Sequence, residues 1–296
     1  MKQALIKLHA AVFLWGFTGV LGRLISLNEG LLVWYRMLIT IITLYILMRM
    51  RNELQSVSPK QRWQLFGIGG LIALHWCFFY GSIKYSNVSI ALTCLSSAGL
   101  FTALLEPIMT PKKLVPVEIV LGLVGIAGIY LIFHFDPQYK TGVILGIICT
   151  VLSCVFSILN KNQVSYTAPK TMMLYELSGG WIILTLVMPL YLYVLPTERL
   201  VPGKVDVLWL LLMSWVCTIL AMDLSLQALQ KVSAFTQNLT LNLEPVYGII
   251  LAFIVYKENK YLSDWFYVGF TLILLAVILQ MMRVISRRKK RVVMEA

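Results

Sequence analysis

Apolar runs of about 20 residues follow one another from Leu5 to Met282, and that repetition decides the fold class. A helix needs about that length to cross the hydrocarbon core, and inside it every backbone polar group must be satisfied within the protein. Ten spanning segments can be drawn: Leu5–Ile25, Glu29–Met48, Trp63–Lys84, Val88–Met109, Pro116–Phe133, Gly142–Leu159, Thr171–Leu195, Val205–Leu229, Ala234–Val255 and Trp265–Met282. The expected fold is an all-α polytopic membrane protein. Arg49–Arg62, the longest hydrophilic interval, is too short for a soluble domain. Composition agrees: 59% of residues are hydrophobic and 13% charged, against about 25% charged in soluble domains. Lys2 and Lys7 before an apolar run imitate a signal peptide, but Leu8–Ile25 is too long and lacks an A-x-A site, so it reads as a retained first helix.

The net charge of +12 does not point to nucleic acid, because the basic residues flank the apolar segments. Alternate segment ends collect 17 of the 25 Lys and Arg residues, the other ends hold seven, and Arg36 lies inside a span. By the positive-inside rule both termini are cytoplasmic, in the inner membrane, which requires an even number of helices. The basic tail reads as a topology anchor able to touch anionic lipid heads. Cys77, Cys94, Cys149, Cys154 and Cys217 all fall in apolar segments without CxxC pairing, so neither a metal nor a cofactor is expected. No GxxxxGK[ST] stretch occurs, which argues against an ATP-driven pump.

One span is unlike the rest. Ala234–Val255 carries Gln237, Asn238, Asn242, Glu244 and Pro245 in its first half. Pro245 lacks an amide hydrogen, so Leu241 loses its helical partner. A carboxylate near the membrane midplane costs at least ~2.5 kcal/mol unless solvated or paired. Such a segment either lines a water-filled substrate path or is a kinked packing helix held by its amides.

The halves resemble each other. Val88-Ser89 and Val232-Ser233 open corresponding helices at an offset of 144, while the Leu-Glu-Pro runs at Leu105 and Leu243 give 138. A six-residue slip is about 9 Å along a helix, so only one register holds, and helix length favours 144. Repeats 1–134 and 135–296 have five spans each. An odd number puts the second in upside down, with a binding site near the midplane between them.

At this point the chain resembles the EamA-type family of the drug/metabolite transporter superfamily. The likeness rests on Phe13-Leu14-Trp15-Gly16-Phe17, the arginine of Val33-Trp34-Tyr35-Arg36, Tyr85-Ser86-Asn87-Val88-Ser89-Ile90-Ala91, and Leu243-Glu244-Pro245-Val246-Tyr247 with Glu258 thirteen residues after the proline. The first half departs at Phe101 and Leu114, where the family often has proline and glutamate. The resemblance implies a ten-helix carrier, not an enzyme, that exports small metabolites such as amino acids by alternating access, as monomer or homodimer.

The candidate substrate-binding residues are Trp15, Arg36, His75, Trp76, Phe79, Tyr80, Asn160, Gln237, Asn238, Asn242 and Glu244. Arg36, deep in the second helix, needs a structural partner, a snorkelling path or an anionic substrate group. His75 is either a bonded buried imidazole or a proton carrier. Trp76, Phe79 and Tyr80 share a helix face and either pack or form a stacking wall. Asp223 and Glu244 are the proton-coupling candidates, Asp223 reading equally as a solvated mouth residue. Glu176, Tyr175 and Trp181 open the seventh helix, where Gly179-Gly180 allow close helix approach. Other readings stay open: an acid–base enzyme built on His75, Asp223 and Glu244, a lipid translocator with a lateral opening and basic pockets, and a non-transporting membrane subunit.

Overall fold

The computed structural model describes residues 2–111, 115–163, 167–229, 240–241 and 243–295, and all of its extended elements are helical. In chain order they are α1 Lys2–Leu24, α2 Glu29–Met50, α3 Pro59–Tyr85, α4 Val88–Ser96, α5 Ala98–Met109, α6 Pro116–Phe135, α7 Lys140–Gln163 and α8 Pro169–Val194. Next come α9 Lys204–Ser214, a π turn Trp215–Leu220, α10 Ala221–Leu229, α11 Glu244–Tyr256 and α12 Asp264–Glu295. Among the described residues, eight helices are long and apolar enough to span a bilayer. The pair α4–α5, bent by 41° at Ser97, makes a ninth, and α11 is apolar but only 13 residues long.

Helix starts follow local chemistry. Asn28, Ser58 and Asn87 each accept the backbone N–H three residues on, which supplies one of the donors every helix start leaves open. Two of these caps lie in the two shortest loops, so neighbouring helices turn back on each other directly.

The penultimate segment differs from the continuous kinked helix expected over Ala234–Val255. Its described helix begins at Glu244 after a turn in which Leu243 N–H bonds Thr240 O at 3.0 Å. Thr240 and Leu241 are helical as well, so the span is interrupted at the turn, and Pro245 sits in the first turn of the helix that restarts there, where a missing N–H costs nothing. Glu244 stands at a helix start, not within one. Gln237, Asn238 and Asn242 lie outside the described residues.

Packing is densest where glycines meet. The chief seam joins α3 to α8: a Cβ on Gly69 would coincide with the carbonyl oxygen of Glu176, and one on Gly180 would strike Gly69 O. A second joins α6 to α12, where Gly128 and Gly269 each place a would-be Cβ 2.5 Å from the other's carbonyl oxygen. Backbones can approach so closely only without side chains between them, the usual source of tight packing where lipid offers apolar groups no preference. Further contacts pair α3 with α7, α1 with α10 and α11, α2 with α8 and α9, and α4 with α7 and α11.

Candidate functional site

Trp76 and Tyr80, one turn apart on α3, face Arg36 of α2. The guanidinium lies over the Trp76 ring, its Cζ 4.1 Å from the centroid. Nη1 donates to Tyr80 Oη, and Nη2 donates to Thr218 Oγ1 at 3.0 Å. Thr218 reaches that spot because it sits in the π turn, where its hydroxyl donates to Met213 O five residues back at 2.9 Å. Ser214 and Thr40 both donate to the Arg36 carbonyl. Arg36 is 4% exposed, so it does not snorkel. Among the described residues no carboxylate is within ion-pair distance of it, and its buried Nε–H has no acceptor.

His75 lies next to this box. A carbonyl only accepts, so the 2.9 Å contact from Nδ1 to Cys149 O places the ring hydrogen on Nδ1. Its ring stacks on Phe79 at 6.5 Å and meets Phe156 edge-on at 5.3 Å, while Phe79 fills the space over Gly19. The charge of Arg36 acts on both His75 and Glu244. Arg36, His75, Trp76, Phe79 and Tyr80 thus form one neighbourhood, with Glu244 within its electrostatic reach.

Other expected site residues lie elsewhere. Trp15 packs with Leu241, Leu243 and Tyr247 around Leu8, Val12 and Ala228. Asn160, near the end of α7, hydrogen-bonds Glu176 of α8. Asp223 accepts from Gln227 at 2.7 Å and faces Lys170 at 3.7 Å on the rim of a cavity of about 280 Å³ lined by Leu47, Met48, Arg51, Glu53 and Trp215. It is ion-paired on the cavity rim, while His75 is bonded to Cys149 O.

The two ends of the bundle differ. At the N-terminal end, the 280 Å³ cavity and another of about 420 Å³ beside Tyr45, Phe66 and Tyr175 open between α2, α3, α8 and α10. The opposite end is held by loop-to-helix bonds. Asp206 accepts from Ser26 N at 2.8 Å and Ser26 Oγ at 2.6 Å, Tyr191 donates to Glu29 at 2.9 Å, and Lys84 donates to Leu27 O.

Glu258 belongs to that end, and no local pattern hints at its partners. It is 3% exposed and accepts from Val88 N at 3.1 Å, Ser89 N at 2.8 Å and Ser89 Oγ at 2.6 Å, with Arg23 on its other flank. One carboxylate from the α11–α12 connection thus caps α4. Glu258→Ala is expected to cost about 3 kcal/mol, because it strands buried donors at a helix start. Arg23→Ala is expected to cost less, since Arg23 is 37% exposed and exposed pairs contribute little. Thermal unfolding in detergent reads the difference, and equal losses would refute the ranking.

Comparisons with known proteins fit this architecture. A solved structure titled only "Crystal structure of protein" superposes with a TM-score of 0.59 at 16% identity, covering 93% of this chain and 95% of its own, a likeness that speaks to the fold alone. No curated protein matches. The family model described as "EamA-like transporter family" matches twice, over residues 3–134 and 140–282. With nearly the whole chain covered by two copies of that unit, and with helices fit to cross a bilayer, this is an integral membrane protein belonging to the EamA-like transporter family.

Proposed function

We propose that the chain is a secondary transporter that exports small carboxylate-bearing metabolites such as amino acids across the cytoplasmic membrane by alternating access. The observation that carries this reading is Arg36: a buried guanidinium that, among the described residues, has no carboxylate in ion-pair contact and one donor unfilled, with aromatic rings on its flank. An isolated charge there is costly, and an anionic solute group reaching Nε would offset that cost. The aromatics beside it suit the solute's apolar part. Cavities at the N-terminal end and bonds closing the other are what a carrier open toward one side presents. We place that open side, with both termini, in the cytoplasm, on the distribution of Lys and Arg.

The repeats 1–134 and 135–296 are proposed to be inserted with opposite orientation, in a monomer or homodimer. Contact pairs support this: exchanging α1, α2, α3, α4–α5 and α6 for α7, α8, α9–α10, α11 and α12 turns α3–α8 into α9–α2 and α1–α11 into α7–α4, all of which occur. The break at Ser97 plus 144 falls at 241, beside the turn at Leu243, in keeping with the longer register. A lipid translocator is less well supported. The cavity rim has Arg51 and Lys170, yet Glu53 and Asp223 beside them would repel a lipid phosphate.

The test is a thermal-shift screen of purified protein against amino acids, nucleosides and sugar phosphates, followed by counterflow of the stabilising solute in vesicles. A ligand binding only the folded form raises Tm. Amino acids are expected to shift Tm and exchange. Stabilisation by uncharged solutes alone would exclude the role given to Arg36.

A further inference from the structure

We propose that Glu176 and Asn160 form a buried proton-binding pair, a carboxylic acid closed against a carboxamide, at the N-terminal end of the bundle. Asn160 has one donor group, Nδ2, and uses it on the Glu176 carboxyl. What remains is unusual. Asn160 Oδ1 and Glu176 Oε1 are both buried with no donor among the described residues. A carboxamide and a carboxylic acid make two antiparallel hydrogen bonds, N–H to one carboxyl oxygen and O–H to the amide oxygen. The two orphaned acceptors are the pair of atoms that a single hydrogen between them would satisfy. Binding adds one proton to Oε1, which then donates to Oδ1; release breaks that bond and restores the carboxylate, with no other reactant.

Among the described residues the surroundings offer no other remedy for the charge. Glu176 is 5% exposed, and among the described residues Asn160 alone acts on it. On α3, Arg62 lies over the Tyr175 ring, His75 is engaged with Cys149, and Lys84 bonds Leu27 O at the far end. On α2, Arg36 is taken up by Tyr80 and Thr218. On α7, Cys149 contacts His75 and Cys154 donates to Ala98 O. A buried carboxylate without a counter-charge costs several kcal/mol, and gaining a proton removes that cost. The backbone that carries the residue is fixed, because its carbonyl packs against Gly69. Thr171, Tyr175 and Ser178 of the same helix line the 420 Å³ cavity. Coupling of this proton to solute movement rests on the transporter reading; the proton site itself does not.

Infrared titration of the protein in phosphatidylcholine vesicles, from about pH 5 to about pH 10, tests this, a range bracketing ordinary and strongly displaced carboxyls. A protonated-carboxyl C=O band is expected that disappears at the alkaline end, is missing from Glu176→Gln, and is displaced in Asn160→Leu, whose side chain cannot accept. Identical titration difference spectra of Glu176→Gln and the wild type would overturn the proposal. If Glu176→Gln does not fold, the band of ¹³C-glutamate-labelled protein is compared with and without Asn160→Leu, and an unmoved band overturns it equally. A titrating band in vesicles that exchange no solute would sink the transport reading and leave the proton site standing.

Discussion

Arg36→Gln protein is expected to fold and to lose its response to carboxylate-bearing solutes. The two halves of this expectation have one cause. Desolvation of the buried charge offsets much of what its bonds to Tyr80 and Thr218 contribute, so the shorter neutral amide should change stability less than it changes binding. The same charge is what a solute carboxylate would bind, and a charge-assisted hydrogen bond contributes about 1.5–3 kcal/mol. At 1.4 kcal/mol per tenfold, affinity should fall by about 10- to 100-fold. Arg36→Lys should lie between, since it keeps the charge but loses the planar fork shared by Tyr80 and Thr218 and the stacking on Trp76. Ligand-induced change in Tm and counterflow measure both effects. Wild-type binding by Arg36→Gln would show that the guanidinium only holds α2, α3 and the π turn together.

Gly69→Val should have the largest effect on folding. A Cβ at this position meets the backbone oxygen of Glu176, and neither that oxygen nor the helix carrying it can rotate aside as a side-chain tip would. Overpacking in a dense interior costs about 1–3 kcal/mol, and more where only backbone can yield. The α3–α8 seam must part, taking the Glu176–Asn160 pair with it. Gly67→Ala, two residues away, is the control: nothing lies within 4 Å of its would-be Cβ, and the helix gains roughly 0.5–1 kcal/mol in propensity. Monodispersity on size exclusion and Tm in detergent should separate the two sharply. If both substitutions behave alike, the backbones of α3 and α8 do not touch at Gly69.

Much of this could be read from residues alone, because a membrane interior penalises unpaired backbone so heavily that apolar length dictates helices. The i, i+4 pairing of Trp76 with Tyr80 was legible for the same reason, being a property of one helix. Two departures from straight helices were not. Ser97 breaks the fourth span, and Trp215–Leu220 widens the eighth into a π turn, without a proline at either break. A π turn holds one residue more than an α turn, which rotates the rest of the helix by about 100° and defeats any reading of a single face through the span. Thr218 next to Arg36, and Glu258 capping α4 from 169 residues away, are tertiary pairings that no local pattern encodes. Pro245 marks the interruption of its span from the far side, since the same residue that breaks a helix interior also starts one.

The glycine seams and the bonds at the far end differ in what water can replace. Asp206 and Glu258 hold N–H and hydroxyl groups through charged carboxylates, contacts of about 1.5–3 kcal/mol each whose halves water can take over once they part. No solvent molecule can take the place of backbone pressed against backbone at Gly69 and Gly180. If the proposed alternating access holds, the molecule should pivot where it is dry and open where its contacts can be wetted.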